Sequence, residues 1–215
     1  MPIIAKYNPM LKRKQKFLFK ENGIDTVRYD ITKQSNSKVL GENLGIQILN
    51  SFKNNIPING LYVFGRIGMG KTVLATAIIN NFENTEDLLI DIKHDIQYRY
   101  YDTYPKCYHL DYYSYRHKDF QWKNKIKLNS DEIIIAEWSE YLPINFFEKD
   151  RIEIELYHCY NKNDVYEKIK TRVLDFSEIT SEDSLRFASL IGYGNGIKII
   201  ENLKNIDNLN NFISD

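Results

Sequence analysis

The chain has 215 residues, long enough for one domain with a sizeable core, and its 29 basic and 29 acidic side chains cancel, which removes any global electrostatic case for a polyanion partner. Two cysteines, Cys107 and Cys159, cannot build a disulfide framework, and no CxxC pair or His/Cys cluster suggests zinc. No stretch reaches the apolar length of a membrane span and the first residues lack a signal-type apolar core, so the expectation is a soluble, cytoplasmic protein without a membrane partner.

In chain order, residues 1–25 form a basic extension carrying Lys6, Lys12, Arg13, Lys14, Lys16 and Lys20. Residues 26–31 alternate as a first strand, with Val27, Tyr29 and Ile31 on one face. From Ser35 the period changes. Val39, Leu40, Leu44, Ile46, Leu49 and Phe52 trace a helical face, with Ser or Asn available as N-cap, and Pro57 ends it. Leu61 to Phe64 is an apolar run rich in β-formers. It leads into Gly65-Arg-Ile-Gly68-Met69-Gly70-Lys71-Thr72 and then a helix-compatible run from Val73 to about Phe82. Strand, glycine turn and helix in that order fit G-x-x-x-x-G-K-[ST], the phosphate-binding loop. Its glycines permit positive φ and turn backbone N–H groups inward, and the helix N-terminus adds partial positive charge where a phosphate would lie. Lys71 can neutralise phosphate oxygens and the Thr72 hydroxyl can ligate Mg²⁺.

Leu88-Leu89-Ile90-Asp91 reads as a strand or switch-like segment with Asp91 as a secondary acid candidate, and Tyr98 to Tyr104 is dense in tyrosine, as packing or as a stacking surface for bases. Lys106 to Asp111 and Glu132 to Glu137 read as strands that each end in an acid, the second almost wholly apolar as a central parallel strand requires. Ligands of open α/β sheets sit at the carboxyl ends of strands, so Asp111 and Glu137 are the candidates to hold Mg²⁺ or orient the attacking water. Arg151 to Tyr157 and Thr171 to Phe176 suggest a β-hairpin beside the sheet. Residues 181–212 read as helical, with Gly192-Tyr-Gly194-Asn-Gly196 as a turn between two helices. The expected architecture is α/β: a mixed P-loop sheet flanked by helices over 26–178, then a helical tail over 179–215.

Three signatures together resemble the TsaE family, small P-loop ATPases that serve the bacterial machinery making threonylcarbamoyladenosine next to the tRNA anticodon. The family's G-x-x-G-x-G-K-T stands as Gly65 to Thr72, its H-F-D-L-Y as His109-Leu-Asp111-Tyr-Tyr113, and its E-W-P-E as Glu137-Trp138-Ser139-Glu140. Ser37 and Gly41 fall where the family has a Thr and a Leu-Gly pair, and the likeness spans roughly 26–178. The resemblance implies that Lys71 and the loop bind ATP or ADP phosphates, that Thr72 and Glu137 serve Mg²⁺, that Asp111 supports hydrolysis and that Trp138 lines the nucleotide site. The nucleotide-binding set is then Ser37, Gly65, Gly68, Met69, Gly70, Lys71, Thr72, Val73 and Trp138, with Lys71, Asp111 and Glu137 catalytic. It also implies a mixed seven-strand sheet and action with TsaB and TsaD, whose complex ATP turnover would reset, so that tRNA is engaged only indirectly. The sequence departs from the family in three places: no S-P-T-F switch is visible in Asn84 to Tyr104, Ser114 replaces an Arg, and Ser139 replaces the Pro.

Other readings of the same P-loop stay open at this stage. The run around it is also similar to AAA+ helicase loaders acting in DNA replication, although Ala136 precedes Glu137 where those proteins carry a second acid. A small-molecule kinase and a non-hydrolysing nucleotide-binding scaffold are the remaining two. No N-K-x-D motif is present to choose GTP over ATP.

Overall fold

The computed structural model describes residues 27–83, 90–93, 96–113, 127–142, 144–160, 184–206 and 209. Among the described residues eight strands form one sheet: β1 (Val27–Asp30), β2 (Gly60–Phe64), β3 (Ile90–Lys93), β4 (Ile96–Tyr101), β5 (Lys106–Asp111), β6 (Glu132–Glu137), β7 (Arg151–Tyr160) and β8 (Ser184–Tyr193), in the order β1-β8-β7-β2-β6-β5-β4-β3. Helices α1 (Gln34–Lys53), α2 (Lys71–Ile79) and α3 (Gly196–Lys204) accompany it. The sheet is mixed, as expected, with one strand more than the resemblance implies. Strand β2 runs parallel to both neighbours, β6 and β7, and β5 runs parallel to β6. Strands β1 and β3 form the two edges, each joined through antiparallel pairing.

The alternation along the central strands decides which chemistry faces which layer. Leu61, Val63, Ile133 and Ile135 point into a core shared with Leu44 and Ile48 of α1, Leu74 and Ile78 of α2 and Ile199 and Leu203 of α3. Each such buried side chain contributes about 1.5–3 kcal/mol. Tyr62, Phe64, Leu110, Ile134 and Ala136 point the other way, under Tyr112, Leu142 and Phe147. By this parity Glu137, in step with Ile133 and Ile135, faces the helix layer where α2 and the glycine turn lie.

Helix α1 seats against α2 through a glycine. A Cβ built on Gly45 would lie 2.5 Å from the Ile78 carbonyl oxygen and 2.9 Å from Asn81 Cβ, and backbone cannot retreat as a side chain can. Gly45→Ala is therefore expected to lower stability by about 1–3 kcal/mol, read from the denaturant midpoint, even though alanine is the better helix former.

Two expectations need correction. Ser184–Tyr193, read as helix, is β8, and its partner is β7: Arg151 to Tyr160 pair antiparallel with Tyr193 to Ser184. The spacing of Phe187, Leu190 and Ile191 mimics a helical stripe because both faces of this strand are covered. The sheet thus runs past residue 178, and the glycine-containing turn joins a strand to α3 rather than two helices. Neither Ser nor Asn caps α1: the N-cap is Lys33 without a side-chain cap bond, while the Asn36 amide reaches back to the Asp30 carbonyl. The basic extension over 1–25, the strand expected over Thr171 to Phe176, and residues 84–89 and 94–95 of the stretch searched for a switch lie outside the described residues.

Candidate nucleotide site

Residues 65–70 bridge the carboxyl end of β2 and the start of α2. Gly65, Gly68 and Gly70 have φ of 143°, 77° and 88°, values open to glycine and strained for other residues, and Gly70 is the N-cap of α2. Met69 is buried in the helix-side core and anchors the loop from beneath. Lys71, only 4% exposed, folds back so that its ammonium donates to the Gly65 carbonyl at 2.8 Å and the Arg66 carbonyl at 2.9 Å. The same Nζ sits 3.4 Å from the centre of the Trp138 ring. A cation over an indole face is among the more favourable of such contacts.

Trp138 reaches that position because it follows β6 with φ 58° and ψ 39°, a left-handed conformation that costs a non-glycine residue on the order of 1–3 kcal/mol. The Ser139 hydroxyl holds the turn by donating to the Ala136 carbonyl at 2.7 Å. Tyr113 at 4.6 Å and Tyr141 at 6.2 Å flank the indole.

Thr72 Oγ1 donates to Glu137 Oε2 at 2.8 Å, so the hydroxyl next to the lysine and the acid at the tip of β6 meet. Glu137 is 2% exposed, and its other oxygen, Oε1, lies 2.8 Å from His109 Nε2. Asp111 pairs in register with Glu137 at the end of β5, stays exposed, and its Oδ1 accepts the Tyr113 amide at 2.9 Å. Burial pushes the Lys71 ammonium down to about 8, against the opposing pull of Glu140, Glu137 and Asp111, largest first. All three carboxylates therefore lie near enough to feel the lysine charge.

Lys71, Thr72, Glu137, Asp111 and Trp138 are thus brought together at one end of the sheet. Val73 follows them, half-buried, in the first turn of α2, and Ser37 is buried near the start of α1 with no described contact to the glycine turn. Asp91 lies on the edge strand β3, with β6, β5 and β4 between it and β2. Two contributors were missing from the sequence-based site although both stand inside the quoted motifs: His109, and Glu140, which the short turn Ser139–Tyr141 buries close to Lys71. Period-two spacing from Asp111 was the available signal for His109, since residues i and i+2 of a strand share a face.

Residues 31–168 match the family described as Threonylcarbamoyl adenosine biosynthesis protein TsaE. The chain belongs to the TsaE family. Among solved structures it is similar to that of Bacillus subtilus YdiB, at 13% identity and a TM-score of 0.50 over 86% of this chain and 98% of that one, a likeness of fold. No curated protein matches it. The TsaE match contains the glycine turn, the His109 to Tyr113 run and the Glu137-Trp138 pair.

Proposed function

We propose that the chain is a Mg²⁺-dependent ATPase whose turnover supports TsaB and TsaD homologues in threonylcarbamoyladenosine modification of tRNA. The observation that carries this reading is the 2.8 Å contact between Thr72 and Glu137, one residue from Lys71 at the mouth of a glycine turn. A hydroxyl that donates its hydrogen to a carboxylate keeps its lone pairs for a cation, and Mg²⁺ takes one or two protein oxygens and fills its remaining positions with phosphate and water. The oxygens of Thr72 and Glu137 fit that donor set. When bound, the ion would neutralise charge developing on the transferred phosphoryl group.

In this reading Lys71 leaves its loop carbonyls for the phosphates, and the N–H groups at the start of α2 contribute partial positive charge. Glu137 and Asp111, side by side on adjacent strand tips, orient the attacking water. Trp138 and its tyrosine neighbours give the site an apolar wall that limits solvent access. Among the described residues no helix is long and apolar enough to cross a membrane.

Phosphate release should be slow for the isolated chain and rise several-fold when TsaB and TsaD homologues are both added. Release indifferent to them but stimulated by single-stranded DNA and a replicative helicase would overturn the proposal in favour of a loader.

A further inference from the structure

We propose that His109 is a positioning residue for the cation site: it fixes the Glu137 carboxylate so that Oε2 stays turned toward Thr72. The inference rests on the nucleotide-site reading above and adds to it the group that sets the geometry. Glutamate has three rotatable side-chain bonds, and a single contact to Thr72 would leave the plane of its carboxylate free to swing. A second contact on the opposite oxygen removes that freedom. His109 Nε2 supplies it at 2.8 Å, and because a carboxylate only accepts, the shared hydrogen sits on Nε2. His109 lies on the same face of β5 as Asp111 and pairs with Ile135, so it stands one pleat behind Glu137. It is itself 7% exposed, and the Tyr101 ring, 6.5 Å away between centroids, borders it.

Without this donor, Glu137 Oε1 would be buried beside no partner, and the carboxylate would rotate in search of one, carrying Oε2 away from the Thr72 hydroxyl. Partners behind a metal-binding side chain typically change cation affinity by about 10- to 100-fold when removed. The role concerns the cation and not the phosphates, so it predicts a loss confined to Mg²⁺-dependent behaviour.

The test is calorimetric titration of a non-hydrolysable ATP analogue into the full chain at a series of Mg²⁺ concentrations. His109→Ala should raise the Mg²⁺ concentration for half-maximal enhancement of analogue binding by about 10- to 100-fold, with affinity in the absence of Mg²⁺ unchanged. His109→Gln, whose amide can still donate to Oε1, should stay within about threefold of the wild type. His109→Phe keeps a ring without a donor and should behave like the Ala variant, which keeps the test intact should Ala fail to fold. An unchanged Mg²⁺ requirement in the Ala or Phe variant would overturn the positioning role alone, as would an equal loss in the Gln variant. A wild type whose analogue binding ignores Mg²⁺ would instead sink the underlying ATPase reading.

Discussion

Lys71→Ala should weaken ATP binding about a hundredfold at pH 7, and the wild-type affinity should itself fall as pH rises above about 8. The first effect follows from losing a charge-assisted contact in a buried setting, worth about 3 kcal/mol where 1.4 kcal/mol is tenfold. The second follows from proton linkage. Burial has pushed the Lys71 ammonium down to about 8 in the free protein, and a bound triphosphate, being strongly negative, would raise it again. Above pH 8 binding must therefore take up a proton, and the dissociation constant should grow by up to about tenfold per pH unit until the bound-state value is reached. Below pH 7 it should be flat. Calorimetry between pH 6.5 and 9.5 in two buffers of different ionisation enthalpy measures both affinity and proton uptake. Lys71→Ala should show neither the pH dependence nor the uptake, and a wild-type affinity that does not fall between pH 8 and 9 would contradict the assignment.

Stability should move in the opposite sense. The folded-state value for Lys71 lies below the ordinary lysine value, so between about pH 8 and 10.5 the unfolded chain holds the extra proton and unfolding becomes harder as pH rises. The price of burying an ammonium is thus present below pH 8, where the site needs the charge, and is relieved above it.

At saturating Mg²⁺, Glu137→Gln should keep ATP affinity within about threefold and lower the single-turnover rate of phosphate release by about 10²–10³-fold, the scale seen when one preorganised electrostatic group is removed. The amide matches the carboxylate in shape but is neutral. Its oxygen can accept from His109 while its nitrogen donates to the Thr72 hydroxyl, which reverses the Thr72 bond and takes up a lone pair the cation would use. Thermal melting registers any loss of folding separately. Normal turnover in a folded Gln variant would show that this carboxylate does not serve the chemistry.

The sequence by itself determined the local elements whose pattern is dense: the glycine turn between β2 and α2, the apolar run that became β6, the strand ending at Asp111, and the long α1. Each is a short-range statement about period and conformational preference. Ser184–Tyr193 escaped it because a strand covered on both faces loses its alternation, and only pairing with β7 decides that it is extended. The site divides along the same line. Lys71, Thr72 and Glu137 were legible as types in motifs, whereas tertiary structure alone decided that Glu137 would accept from Thr72 on one oxygen and His109 on the other, 65 and 28 residues away in the chain. Register between β5 and β6 and the side of the sheet on which α2 packs set those distances. Both are long-range choices made by burial of the two faces, and no local pattern encodes them.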